Sequence, residues 1–298
     1  MLRTTMIAAA IFVSAASMLV RGLPAFGQVE LKWKLVKGQT FVIEDVVTIQ
    51  QTIKLAGKRT KIKTKQTKLS TIKVLDVDED GGVKLEMRID SITSKGDGKA
   101  HAWIHKKMAG AIFHVSLDRN MQITKFEGYD KMVENVTGGN PQKTAIFRNL
   151  VSEKTIQRTI DQTFSIVPAG PVGILDTWQR PTNLPLGALG QLMVDRTFTY
   201  AGKGRLQGAT YDKLTLKATA RYQRPKAKGQ TLVILKADVK IHDYDGIVYF
   251  DAAKGRLVQT DEKTRLKGSF LVKTAQGQTP LSLVFSRTSR RRVLDPKR

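Results

Sequence analysis

From Leu31 to Ile123 apolar and polar residues alternate, the period of strands with one buried face. In "GGVKLEMRID", Val83, Leu85, Met87 and Ile89 share one face, and Lys84, Glu86, Arg88 and Asp90 share the other. The pattern returns in "LTLKATARY", where Leu214, Leu216, Ala218, Ala220 and Tyr222 oppose Thr215, Lys217, Thr219 and Arg221. Such alternation predicts antiparallel strands that are wet on one side. Between these stretches the period becomes helical. In "NPQKTAIFRNLV", Asn140 is an N-cap, Pro141 takes the first helical position, and Ile146, Phe147, Leu150 and Val151 fall at helical spacing. In "SEKTIQRTIDQTF", Ser152 is a cap, Ile156, Ile160 and Phe164 make one core-facing stripe, and Pro168 stops the run.

The expected fold class is α+β, mostly antiparallel β. Two similar β-rich halves, or one curved sheet or half-barrel, carry helices inserted mid-chain. The boundaries read as a signal peptide over 1–27, an N-terminal β-rich half over 28–127, a helical insert over 128–167, a Pro-rich connector over 168–190, and a C-terminal β-rich half with a basic tail over 191–298. Four of the nine prolines fall between Val167 and Gly190, which predicts an extended connector with Trp178 at a joint. "GAIFHVSLDRNMQI" echoes "GIVYFDAAKGRLVQ" as strand, tight turn and strand, with Asn120 or Gly255 at the left-handed position. "SRTSRRRVLDPKR" reads as a last strand at a sheet edge that runs into a frayed basic tail.

The leader places the protein. Arg3, the apolar run from Met6 to Val20 and the small residues of "AFG" form a secretory signal pattern, and the run is shorter than the roughly 20 residues a spanning helix needs. The expected location is periplasmic or secreted after cleavage. The chain has no cysteine, which excludes disulfides, thiol catalysis, Cys-ligated zinc and iron–sulfur clusters. Its net charge is +24, and Arg3 and Arg21 are the only charged residues before Gln28, so the surplus stays with the mature chain. A field of that sign attracts polyanions. For an exported protein these are anionic lipid surfaces and envelope polymers, and nucleic acid is not expected as a partner.

Each chemical motif has a bland competitor. "DVDEDGGVKLEM" sets Asp76, Asp78, Asp80 and Gly81 at calcium-loop positions one, three, five and six, but position twelve is Met87 and the flanks alternate as strands, so a hairpin turn is the expected use. His101 and His105 would share one face on a helix but stand roughly 13 Å apart on a strand; the turn-like segment before "AHAWIHKKM" points to strand or loop, and no metal site is expected. Asp243 and Asp245 beside His242 in "IHDYDG" fit a hairpin turn at a strand end. No nucleophile pairs with a base, so no catalytic residue and no cofactor is expected. "GKRTKIKTKQTK" places Arg59, Lys61, Lys63 and Lys65 on alternate positions, the solvated face of a strand, with an edge guarded by its charge as one form of it, and no aromatics to stack bases.

"LKWKLVKGQTF", "ILDTWQRP" and "GIVYFDAAKGRL", in that order behind a leader, resemble families of uncharacterised exported bacterial proteins of β-rich, duplicated design. The resemblance supplies no catalytic residue. The architecture is also similar to the periplasmic lipoprotein-carrier half-barrels, whose curved sheet and helical lid enclose an apolar cavity, and this implies a lipid or lipoprotein partner. The leading expectation is a non-enzymatic exported binding protein that holds an apolar or lipid-like ligand on a concave sheet face, with Phe113, Val115, Leu214, Leu216 and Phe250 facing the ligand. The alternative is an envelope-associated structural or polyanion-binding protein that uses Arg59, Lys61, Lys63 and Lys65. An uncharacterised hydrolase ranks third.

Overall fold

The computed structural model describes residues 27–97, 102–225, 233–274 and 277–296. The leader, apart from Gly27, and His101 lie outside the described residues. Alternation produces eleven strands: β1 (Thr40–Leu55), β2 (Lys58–Val77), β3 (Val83–Gly96), β4 (Ile112–Leu117), β5 (Ile123–Glu127), β6 (Thr177–Pro185), β7 (Gln191–Leu206), β8 (Ala209–Gln223), β9 (Val233–Asp251), β10 (Arg256–Thr274) and β11 (Gly277–Leu294). They form one antiparallel sheet in the order β5-β4-β3-β2-β1-β11-β10-β9-β8-β7-β6. Its two halves each run outward from the centre by hairpin connections, and the pairing of β1 with β11 joins them.

Four helices accompany the sheet: α1 (Ala102–Met108), α2 (Tyr129–Thr137), α3 (Pro141–Leu150) and α4 (Glu153–Phe164). The expected caps are in place, since Asn140 accepts from the Lys143 N–H and Ser152 from the Thr155 N–H. In α4, Ile156, Ile160 and Phe164 are buried as the stripe predicts. In α3 only Phe147 is buried, and Ile146 and Leu150 face outward. The strand or loop expected for "AHAWIHKKM" is corrected, because α1 begins one residue after His101. His105 lies within hydrogen-bonding reach of Gln66 on β2 and Ser94 on β3, so contacts with the sheet hold a helix that local sequence signals do not announce.

The core forms where the N-terminal extended segment, α4 and the sheet meet. Leu31, Trp33 and Leu35 alternate inward. The Trp33 indole donates to the Phe164 carbonyl at 2.9 Å, and its ring lies 5.0 Å from Phe164 and edge-on to Phe250 at 5.9 Å. These contacts tie the chain start, α4 and β9 together with aromatic geometry of the favourable tilted and edge types. Gly255 explains itself here: its φ is +59°, its carbonyl accepts from the Lys34 N–H, and a Cβ would meet the Lys34 backbone nitrogen at 2.5 Å. At the matched β4–β5 turn the left-handed residue is Met121 rather than Asn120, and Asp118 accepts from the Asn120 and Gln122 N–H groups to hold the turn.

Several edge and turn expectations change. β2 lies inside the sheet between β1 and β3, although β3 ends opposite Thr64; Lys63 still bonds Asp97 just beyond that end, and Lys58–Ile62 pair with β1 alone among the described residues. The basic C-terminal stretch is no edge, since β11 sits between β1 and β10 at the centre. "IHDYDG" is the interior of β9 and not a turn, whereas Asp78 and Gly82 close the hairpin turn expected between β2 and β3. The Pro-rich connector contains β6, a sheet-edge strand, and an edge is where Pro181 and Pro185 are tolerated.

At the seam, Arg290, Arg291 and Arg292 alternate across the sheet. Arg291 Nε donates inward to Asp45 at 2.6 Å, while Arg292 and Arg290 pair on the outer face with Glu44 and Asp261 at 2.8 and 2.7 Å. Lys68 Nζ lies 3.1 Å from the other Asp45 oxygen. Burial alone would raise the Asp45 carboxyl, but Arg291 and Lys68 outweigh it and hold it well below the usual carboxylate range.

Two outcomes are expected. Trp33→Ala should destabilise the fold by about 3–5 kcal/mol in urea unfolding, the cost of truncating a large buried aromatic side chain. Asp45→Asn should cost about 3 kcal/mol at pH 7, because it leaves Arg291 and Lys68 uncompensated. Since the folded pKa is depressed, this stabilisation is fully present above the unfolded value near ~4 and is lost as pH falls toward the folded one. The gap between wild type and variant should therefore stay constant from neutral pH downward and close only in strong acid.

Candidate functional site

The inner face of the sheet is not uniformly apolar. Down β11 its inward residues run Leu281, Leu283, Phe285, then Arg287, Ser289, Arg291, then Val293; β1 interrupts its own run with Asp45, β2 with Lys68 and Gln66, and β10 with Thr260, Glu262 and Thr264. Cross-strand register aligns these interruptions into a polar belt between two apolar zones. α4 lies over the belt. Between helix and sheet is a cavity of about 240 Å³ lined by Asp45, Gln66, Lys68, Thr159, Gln162, Glu262, Arg287 and Arg291 among others.

Each charged group of the belt has a distinct state. Asp45 is taken up by Lys68 and Arg291. Glu262 reaches the Tyr244 hydroxyl at 3.4 Å. Burial and the neighbouring Glu262 carboxylate both push the Tyr244 phenol up, so it stays a protonated donor. Arg287 makes no hydrogen bond or ion pair among the described residues. On β7, Arg196 is 1% exposed, lies 5.4 Å over the Phe198 ring, and has no acceptor for Nε or Nη2. Burial raises the carboxyl of Asp161 on α4, an effect that Arg196 and Arg180 oppose. Arg180 is committed to helix-end carbonyls, with Nε donating to Ser165 at 2.7 Å.

The expected ligand-facing residues lie deep in the core. Phe113 stacks on Phe126 at 5.4 Å, and Val115, Leu214, Leu216 and Phe250 are fully buried. The sheet brings Leu214, Leu216 and Phe250 together on β8 and β9, and sets Phe113 and Val115 on β4 in the opposite half. None of the five lines the 240 Å³ cavity. Sequence reading missed the belt, whose signal was polar residues at inward parity, as in "FSRTSRRRV".

Arg59, Lys61, Lys63 and Lys65 are all exposed on the outer face of β2 and pair with no acid among the described residues. Lys65 borders a groove of about 750 Å³ that crosses five strands from β2 to β9, with Lys263, Arg290 and Arg292 on its other wall. Among the described residues no cluster of three or more His, Asp or Glu could hold a metal, and no helix is long and apolar enough to cross a membrane.

Near the middle of the β8–β9 hairpin the sheet opens. The two strands pair from Asp212 to Lys217 and then part, so that Ala218–Gln223 and Val233–Tyr244 are not bonded to each other. β8 leans over the inner face instead, with Tyr222 edge-on to Phe270 of β10 at 5.8 Å. Beside this split, inward Val239 and Ile241 on β9 are only partly buried, and so are Ile49, Ile53 and Leu55 on β1, beyond β10 and β11 and across the buried Leu283 of β11 in the row that joins Val239 to Ile53.

Among solved structures, the chain is similar to a lipovitellin structure concerned with lipid–protein interactions, at 8% identity and a TM-score of 0.41, over 88% of this chain and 25% of that one. The chain thus spans about a quarter of the lipovitellin chain. It is also similar to DynF from the dynemicin biosynthesis pathway of Micromonospora chersina, at 8% identity and a TM-score of 0.19, covering 89% and 85% of the two chains. A DUF1329 family protein from Desulfovibrio piger matches at 10% identity and a TM-score of 0.14, over 81% and 83%. No curated protein matches the chain. Residues 70–243, more than half of the sequence and reaching from β2 into β9, match a family of unknown function, and the chain belongs to that family, DUF6263.

Proposed function

We propose that the protein is an exported, non-enzymatic binding protein that holds an apolar or lipid-like ligand against the inner face of its sheet. The observation that carries this reading is the partly open apolar strip of Ile49, Ile53, Leu55, Val239 and Ile241 on the inner face. Apolar side chains of a curved sheet left incompletely covered beside a cavity make a site for an apolar molecule, with a few polar groups to orient it. The parting of β8 and β9 gives such a molecule a way in from the edge of the strip. On this reading the ligand contacts fall on this strip, while Phe113, Val115, Leu214, Leu216 and Phe250 are packed into the core elsewhere on the same sheet.

A second reading rests on the outer face. Arg59, Lys61, Lys63 and Lys65 form a ladder of exposed cations without acidic partners, suited to an anionic polymer or membrane surface. The two readings are compatible because they use opposite faces of the same sheet.

Organic extraction of protein purified from the envelope fraction should yield acyl lipid by mass spectrometry, and that protein should begin at Gln28. The pair Ile53→Asp and Val239→Asp should weaken binding of a fluorescent fatty-acid probe at least about tenfold, since each places a charge against an acyl chain. Unchanged probe binding would remove the strip from the site. For the outer face, binding to vesicles rich in anionic lipid should fall steeply with added salt and be lost in Lys61→Glu, Lys63→Glu and Lys65→Glu combined; a flat salt response would count against it.

A further inference from the structure

We propose that the cavity beneath α4 is an anion site that receives the phosphate or carboxylate head of the ligand. The inference rests on the lipid-like reading for the rest of that ligand. Its geometric basis is a row of paired residues on the inner face, Tyr244 on β9, Thr264 on β10 and Arg287 on β11, with Arg196 of β7 on the other side of the split, where it pairs with Ala218 of β8. Arg287 lines the cavity. Both guanidinium groups act on the Tyr244 phenol between them, and its hydroxyl reaches Glu262 on the cavity wall.

The charges of the wall do not balance. Lys68, Arg287 and Arg291 face Asp45 and Glu262, and Asp45 is consumed by Lys68 and Arg291 together. That leaves Glu262 as the one wall carboxylate to offset Arg287, while Arg196 interacts with the Asp161 carboxylate of α4 only at a distance and bonds no acceptor through Nε or Nη2. A guanidinium buried with two N–H edges unpaired is costly to the fold, and the ring of Phe198 meets only its face. Such an arrangement is retained where a negative group completes it, and the planar N–H fork suits an oxyanion. The cavity meets the apolar strip because Ile49 and Ile53 follow Asp45 and Val47 along the inward side of β1. A head in the cavity would therefore leave its tail on the strip.

The test measures binding of dodecyl phosphate, dodecyl maltoside and inorganic phosphate to the mature chain by calorimetry. Dodecyl phosphate should bind at least about tenfold more tightly than the neutral amphiphile. Arg287→Gln should abolish that preference and leave maltoside affinity within about twofold. Arg196→Met should do the same while raising the melting temperature of the ligand-free protein, since it removes an unpaired buried charge; Arg287→Gln keeps the test valid if the Met variant does not fold. Inorganic phosphate that binds with the same Arg287 dependence supports the anion site and assigns it to a free anion as well. Equal affinity for both amphiphiles overturns the anion site and leaves the lipid reading standing. Failure of both amphiphiles to bind overturns both.

Discussion

Everything in this fold depends on the seam between β1 and β11. The two strands pair from Val42 with Leu294 to Leu55 with Leu281, so the first and last strands of the sheet in chain order lie side by side at its centre. Arg291 and Asp45, 246 residues apart, close the contact on the inner side, with Lys68 from the next strand. A buried ion group of this kind contributes little net stability over an apolar filling, but breaking it is severe, and its geometry fixes one register. Contacts between residues so distant in sequence must wait for both halves to form, which places this protein among slow folders of high contact order.

The strands and their faces were legible from parity alone. Val83, Leu85, Met87 and Ile89 are buried, and Lys84 and Arg88 are exposed, as alternation implies. The caps at Asn140 and Ser152 were equally plain, since capping is a local hydrogen bond. Strand order was not legible. The arginines of "SRRRV" looked like part of a last strand at the sheet edge because their partners, Glu44, Asp45 and Asp261, are supplied by strands that sequence cannot place beside them. Helix α1 escaped for a related reason: seven residues hold no strong local signal, and contacts with β2 and β3 decide the outcome.

The candidate site was only half visible. Sequence parity found which residues point inward, and it favoured the most apolar of them, which became a close-packed floor around Phe250 and Leu214. Places where function resides in such a sheet are those where the inward pattern is broken, because a polar group turned into the core has to be accounted for by a partner. Among the described residues Arg287 breaks it with no hydrogen bond or ion pair, and Arg196 with no acceptor for Nε or Nη2; Arg291 breaks it with Asp45 as partner. The outer face follows a different economy, with cations spread along β2 that need no partner in water.

The order of strands leaves β5 and β6 at the two rims of the sheet, unpaired on one side among the described residues, and the chain treats them differently. β5 is five residues long, too short to recruit much, whereas β6 has nine and would offer a template for a foreign strand. Pro181 and Pro185 withhold two amide hydrogens from that rim. The two prolines, inconspicuous in any account of ligand binding, thus make the longer rim a poorer template for a further strand.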